Sequence, residues 1–217
     1  MSCNKVVIFY EKHLEPQATK TVVELMSMYK KMGINSICLE EPSNISFQDK
    51  FTNYQEIIGF LDKCSNIKSL QSSCAQRILH AGIMGDEAGN IASPDKLLKQ
   101  DGMLTVIQEL YNANLEAMKQ NLELITKISQ YNFNYCGMDL AENERAELES
   151  KDYTTHEKYD IRNLYMRDQV LEQCEKAGDV LLMVGASHFK LAQLLKDAGV
   201  NHVNEYYITT SVVDTNV

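Results

Sequence analysis

The chain has 217 residues, of which 44% are hydrophobic and 24% charged, and its formal net charge is -9 at pH 7. This length is enough for one domain with a substantial core. The acidic balance argues against a groove for nucleic-acid phosphates and against an anionic membrane surface. We therefore expect the partner to be a small molecule, a peptide or another protein.

The apolar segments are too short for secretion by the Sec route or for a membrane span. The first apolar run, at residues 6–10, is followed at once by charged residues, which does not fit a Sec signal peptide. No apolar run approaches the ~20 residues that a membrane span needs. We expect a cytoplasmic protein, or one that is secreted without a Sec signal.

The first forty residues predict a strand, a helix and a second strand. Residues 5–10 (KVVIFY) are β-branched and aromatic, which is typical of a buried strand. A helix follows from Pro16, with apolar residues at helical spacing, and ends at Gly33. The second strand occupies residues 34–42 and ends at Pro42. A unit of this kind usually contains two parallel strands.

The middle of the chain, residues 45–130, predicts a mainly helical insertion within a single α/β domain that spans residues 1–217. Ser93 and Pro94 suit the N-cap and the first turn of a long helix. Apolar residues repeat along this helix at about the helical period, which is typical of a surface that faces a core. The same stripe could instead form a homodimer or contact a partner.

The last third of the sequence completes the alternation of strands and helices. Residues 131–140 predict a strand that ends on Asp139, and the charged residues 141–160 predict either an exposed helix or a loop. A helix at 161–177, a strand that ends at Gly185, another helix and a final strand follow. The pattern predicts an α/β fold with a mixed, largely parallel sheet flanked by helices.

Ionisable side chains follow the predicted strands at the points where each strand ends. The carboxyl ends of parallel strands lie at one edge of a sheet, where α/β proteins place their binding sites. The side chains at these ends are those of Glu11, His13, Glu40, Glu41, Asp139, Ser187 and His188.

Ser187 has the surroundings of a turn residue more than those of a nucleophile. The stretch GASHF lacks the last glycine of the G-x-S-x-G nucleophile elbow, because Phe189 stands there. We therefore expect Ser187 to be the N-cap of the following helix.

His13 and His188 are the strongest candidates for chemistry, because imidazole can act as a base near neutral pH or bind a metal. Together with Glu11 and Glu40 they could hold manganese, cobalt or zinc. The same set without metal could activate water by general-base catalysis. Alternatively, both histidines are helix caps or packing groups.

Arg162 opens the helix that precedes the fourth strand, and could reach the strand ends to stabilise an oxyanion. An exposed or salt-bridged arginine is the ordinary alternative.

These motifs, in this order, resemble the superfamily that unites the TraB pheromone-shutdown proteins, the Tiki/GumN proteins, the ChaN haem-iron proteins and the erythromycin esterases. Gly185 and His188 match its final G-x-x-H, and Glu40 matches the glutamate that ends its second strand. Arg162 with Met166, and the Gly-x-Asp strand end at Asp139, also match. The sequence departs from the pattern at Tyr10, where the family has glycine.

The resemblance implies an α/β sheet with a site across its strand ends, where the Tiki-like members cleave peptides with a divalent metal and the esterases cleave lactones. We therefore expect a hydrolase whose catalytic groups are His13, His188, Glu11 and Arg162. A divalent metal, if used, would be bound by His13, His188, Glu40 and Glu11. Tyr10 favours the alternative of a ChaN-like protein that binds haem, a metal or another small ligand without turnover. A bacterial effector or interaction protein is the third hypothesis.

Overall fold

The structure is a computed structural model that describes residues 5–11, 17–63 and 103–208. Its strands are β1 (Lys5–Glu11), β2 (Ser36–Pro42), β3 (Asn134–Asp139), β4 (Val180–Gly185) and β5 (His202–Tyr207). Its helices are α1 (Gln17–Lys31), α2 (Phe47–Lys63), α3 (Met103–Gln130), α4 (Glu142–Ser150), α5 (Thr155–Ala177) and α6 (Leu191–Asp197). A single 3-10 turn, Ala186–His188, joins β4 to α6.

The five strands form one sheet in the order β3-β2-β4-β1-β5, and every pairing among them is parallel. The predicted α/β fold class is confirmed. After β2 the chain continues to β3, which lies at one edge of the sheet. After β4, the neighbour of β2, the chain continues to β5, which lies at the opposite edge. Such a reversal opens a crevice between the carboxyl ends of two adjacent strands, here β2 and β4.

Both faces of the sheet are covered by helices. On one face, Ile8 and Val184 pack with α5 and α6 in a fully buried cluster. Neighbouring residues on a strand point to opposite faces, and Phe9 accordingly meets Tyr29 of α1, with ring centroids 6.1 Å apart. The inner strands β1 and β4 are therefore buried on both sides, which explains why they read as continuous apolar runs.

Local signals account for the bounds of the helices. Lys30 and Lys31 lie in the last turn of α1, where cations favour the helix dipole, and Gly33 follows with a φ of 87° that a glycine adopts without strain. The helix predicted at 161–177 begins earlier, because Thr154 and Glu157 form a capping box at the start of α5. The predicted start of the long helix, at Ser93, lies outside the described residues.

The charged segment 141–160 is mostly helical, which was one of the two predicted alternatives, but residues 151–154 interrupt the helix. It contains α4 and the first turns of α5.

The chain divides into two compact units, one of Met1–Phe51 with Glu123–Val217 and one of Thr52–Leu122. The first unit contains the whole described sheet, and the described part of the second is helical. The single domain with an insertion at 45–130 stays a prediction. Among the helices of the described ranges, none combines the length and the apolar character needed to cross a membrane.

Candidate functional site

The ends of three adjacent strands bring the first site residues together. Glu11, the last residue of β1, is the register partner of Gly185, the last residue of β4. The backbone N–H of Gly185 donates to Oε2 of Glu40, on β2, over 2.6 Å. Glu11, Gly185 and Glu40 therefore lie side by side at the carboxyl edge of the sheet.

Gly185 is needed because the carboxylate of Glu40 lies directly against its backbone. A Cβ at position 185 would lie 2.9 Å from Oε2 of Glu40, closer than a side chain can approach without a shift. The glycine that begins the G-x-x-H motif thus makes room for the glutamate that ends the second strand, and the two motif residues depend on each other.

Glu40 is the centre of a buried network of charges. Its Oε1 accepts hydrogen bonds from Nη2 of Arg162 over 2.7 Å and faces Nε2 of His188 at 3.1 Å. Burial acts to raise the pKa of Glu40, but the hydrogen bonds and charges of His188, Gly185 and Arg162 outweigh it and bring the pKa to about 2. Glu40 is therefore ionised at every pH at which the protein would work.

Arg162 links Glu40 to Asp139, at the end of β3. Its Nε donates to Oδ1 of Asp139 over 3.1 Å and its Nη2 donates to Oδ2 over 2.7 Å, so the salt bridge is bidentate. Asp139 is fully buried, and Arg145 approaches it from α4, with Nη1 3.6 Å from Oδ2. Arg162, predicted as an oxyanion donor, is thus engaged by two carboxylates.

His188 lies in the 3-10 turn with an exposed fraction of 0%. Its Nδ1 is 2.6 Å from Oδ1 of Asn163, and its Nε2 faces Glu40. Both neighbouring atoms are acceptors, so a ring that carries a proton on each nitrogen satisfies both contacts. The edge of the ring contacts Tyr159, with centroids 5.2 Å apart.

Asn163 and Tyr159 are site residues that the sequence reasoning missed. One face of α5 carries residues at positions i, i+3, i+4 and i+7, namely Tyr159, Arg162, Asn163 and Met166. Of these, Asn163 and Met166 are completely buried. The face continues into apolar core residues further along α5. The sequence signal that could have revealed Tyr159 and Asn163 is that polar residues occupy the first turns of a helix face whose later residues are apolar.

Glu11 is the member of the site best suited to exchange a proton near neutral pH. Burial and the negative charges of Glu40 and Glu41 raise its pKa to about 7, against the smaller opposing effects of Thr19 and Lys50. The hydroxyl of Thr19 donates to Oε2 of Glu11 over 3.5 Å.

Lys50, which is almost fully buried, forms an ion pair with Glu41 beside this group. A buried lysine and threonine in helices gave no signal in the sequence, because they come close to Glu11 only in the folded chain.

Tyr10 does not take part in the network. Its ring stacks on Tyr207 of β5 with centroids 4.4 Å apart, and its hydroxyl donates to Oε2 of Glu205 over 3.3 Å. Both partners lie on the far side of β1 from Glu40. The tyrosine that replaces the family's glycine therefore fills core space between β1 and β5.

Ser187 is exposed in the turn and is not a helix cap. The helix α6 begins at Leu191, with Lys190 in the N-cap position and no side-chain hydrogen bond. The predicted N-cap role is wrong, because Ser187 lies inside the 3-10 turn and three residues separate it from Leu191, the first residue of the helix.

His13 lies outside the described residues, so the predicted meeting of His13 with His188 stays a prediction. His156, on the surface, contacts Lys190 and Asp160 instead of the site.

Glu40 and His188 do not offer a divalent ion an open set of ligands. Both ring nitrogens and both carboxylate oxygens are already engaged, one oxygen by the guanidinium of Arg162, with which a metal ion would compete. In the ranges that the structure describes, no group of three or more His, Cys, Asp or Glu is arranged to hold a metal. The predicted manganese, cobalt or zinc site also includes His13 and stays a prediction, as does haem.

The chain matches none of the protein-family models, curated proteins or solved structures with which it was compared. The resemblance to the TraB, Tiki/GumN, ChaN and erythromycin-esterase proteins therefore rests on the motif residues alone and stays a prediction.

Proposed function

We propose that this protein is a hydrolase that uses Glu11 to activate water at the carboxyl edge of the sheet, with an ester or a peptide as substrate. One observation carries the proposal: Glu11 ends β1 beside Gly185, where burial and the negative charges of Glu40 and Glu41 raise its pKa to about 7. A carboxylate with a pKa near the working pH can take a proton from water and return it to a leaving group.

Burial is the main cause of the raised pKa of Glu11, and the charge of Glu40 adds to it. Glu40 is permanently ionised, and its negative charge disfavours a second charge on Glu11. His188 and Arg162 hold Glu40 in place, so in this proposal they are positioning residues. His13 follows Glu11 by two positions in the chain and is the proposed second proton-transfer group.

The test compares wild type with Glu11→Gln on a panel of activated esters and short peptides, with and without manganese. The variant keeps the size of the side chain but cannot act as a base, so kcat/KM should fall by about 10²–10⁴-fold. His13→Ala should lower it as well. The matched control is Glu24→Gln, which changes an exposed carboxylate on α1 and should keep the wild-type rate.

The pH profile gives an independent readout of the same group. The base must be ionised, so wild-type kcat/KM should rise to a plateau through an apparent pKa near 7. This rise should disappear from the residual activity of Glu11→Gln. A Glu11→Gln variant with the wild-type rate and profile would contradict the proposal.

Binding of a small ligand without turnover is the second candidate, and Tyr10, which stands where the resembled superfamily has glycine, favours it. His188, with an exposed fraction of 0% and both nitrogens engaged, is better suited to hold a structure in place than to act as a base. If wild type hydrolyses no member of the panel, with or without manganese, the binding proposal is supported by a shifted haem absorbance band or by retained metal. Turnover that depends on Glu11 would exclude it.

A further inference from the structure

Two free cysteines lie side by side on neighbouring strands, away from Glu11. Cys38 on β2 and Cys136 on β3 are direct register partners. Both side chains pack against the core cluster under α5, so they point to the same face of the sheet. The Cys136 thiol donates to the backbone oxygen of Gly137 over 3.4 Å, and the two thiols are close enough that each shifts the pKa of the other, that of Cys38 upward and that of Cys136 downward.

The spacing of the strands places the two thiols within reach of a covalent bond. Neighbouring strands lie about 4.8 Å apart, which is within the range of about 4.4–6.8 Å between the Cα atoms of disulfide-bonded cysteines. This spacing is compatible with a disulfide between the two register partners. A disulfide that is strained or accessible is more easily reduced, as reversible disulfides are.

The two thiols differ in access to solvent. Cys38 is completely buried, whereas Cys136 is half-buried and lines an open cavity of about 680 Å³ at the β3 edge of the sheet. Lys176 lines the same cavity. The neighbouring Cys38 thiol and the charge of Lys176 lower the pKa of Cys136, which favours its thiolate.

We propose that Cys136 is a peroxide-reactive thiol and that Cys38 resolves it into a reversible disulfide between β2 and β3. The Cys136 sulfur attacks one oxygen of hydrogen peroxide, the O–O bond breaks, and a sulfenic acid and one water form. The Cys38 sulfur then attacks the sulfenic sulfur, its S–O bond breaks, and a second water leaves. The two thiols lose two electrons and the peroxide gains them. This site is independent of the proposed hydrolase activity.

Trypsin releases each cysteine in a peptide of its own, which makes the product directly measurable. Residues 32–50 contain only Cys38, and residues 128–145 contain only Cys136. After the folded wild type is treated with hydrogen peroxide and its remaining thiols are blocked, mass spectrometry should find these two peptides joined, with the loss of two hydrogen atoms. Dithiothreitol added before digestion should remove the joined species.

Two variants separate the two roles. In Cys38→Ala the sulfenic acid has no resolving thiol, so the 128–145 peptide should trap dimedone and then progress to sulfinic acid. In Cys136→Ala the thiol of Cys38 should stay unoxidised, whereas Met32 in the same peptide is exposed and can form a sulfoxide. With limiting maleimide on the folded protein, Cys136 should be alkylated at least about tenfold faster than Cys38, and at equal rates in guanidinium.

The proposal is overturned if peroxide leaves wild-type Cys136 reduced, or takes it to sulfinic acid without any joined peptide. Faster alkylation of Cys38 than of Cys136 in the folded protein has the same consequence. If Cys38→Ala does not fold, Cys38→Ser, which is closer in size and polarity to the thiol, is read by the same dimedone assay.

Discussion

Glu11→Gln should make the protein more stable at alkaline pH while it removes the proposed activity. In the folded protein the pKa of Glu11 is about 7, compared with an ordinary value of 4.5. At 1.36 kcal/mol per pKa unit, this difference corresponds to about 3 kcal/mol. The folded state binds the proton more tightly than the unfolded state, so Glu11 stabilises the fold below about pH 4.5. That contribution disappears as the pH rises from 4.5 to about 7.

Glutamine has nearly the same side-chain shape as glutamate and is neutral at every pH, so Glu11→Gln removes the unfavourable charge that Glu11 carries above about pH 7. The free energy of unfolding, measured in urea, should be higher for Glu11→Gln than for wild type by up to about 3 kcal/mol near pH 8. The difference should shrink toward zero at about pH 4, where both side chains are neutral. Glu24→Gln should show no such dependence. A difference that does not change with pH, or a Glu11→Gln variant that is less stable at pH 8, would refute the assigned surroundings of Glu11.

Two further substitutions test the network that surrounds Glu11. Glu40→Gln should lower the free energy of unfolding by about 3–5 kcal/mol at neutral pH, because it leaves Arg162 and His188 buried beside a neutral group; urea unfolding measures this. The contribution of Glu40 itself should fade in wild type as the pH drops from 4.5 to about 2. Gly185→Ala should lower the free energy of unfolding by about 1–3 kcal/mol, because the Cβ of the alanine would lie too close to the Glu40 carboxylate. Gly59→Ala, whose Cβ meets nothing within 4 Å in a helix, should be neutral or slightly stabilising.

The sequence predicted the elements well because their signals are local. Gly33 follows the end of the first helix and Pro42 ends the second strand, as expected, and the predicted carboxylates of Glu40 and Asp139 lie near the end of β2 and at the end of β3. These signals depend on a few neighbouring residues and on the alternation of apolar segments. The start of α5 was missed by six residues, although the Thr154–Glu157 capping box is itself a local signal.

The order of the strands could not be predicted, because it depends on contacts between distant residues. The sheet places β4 between β1 and β2, and only this arrangement brings the backbone of Gly185 against Glu40, 145 positions apart in the chain. The partnership of His188 with Asn163 has the same origin, since a buried amide on a helix is recognised only once the helix is docked.

The hydrogen bonds of the network indicate where chemistry at this edge of the sheet would take place. Arg162, Glu40 and His188 donate and accept among themselves and their buried neighbours, and such a saturated network is better suited to fix geometry than to meet a substrate. Glu11 is joined to it by charge, and Thr19 is its hydrogen-bond donor. Substitutions of the two residues should therefore have different effects. Glu40→Gln should lower both stability and activity, whereas Glu11→Gln should lower activity and raise stability. Stability and activity that fall in parallel in both variants would mean that Glu11 is another structural member of the network.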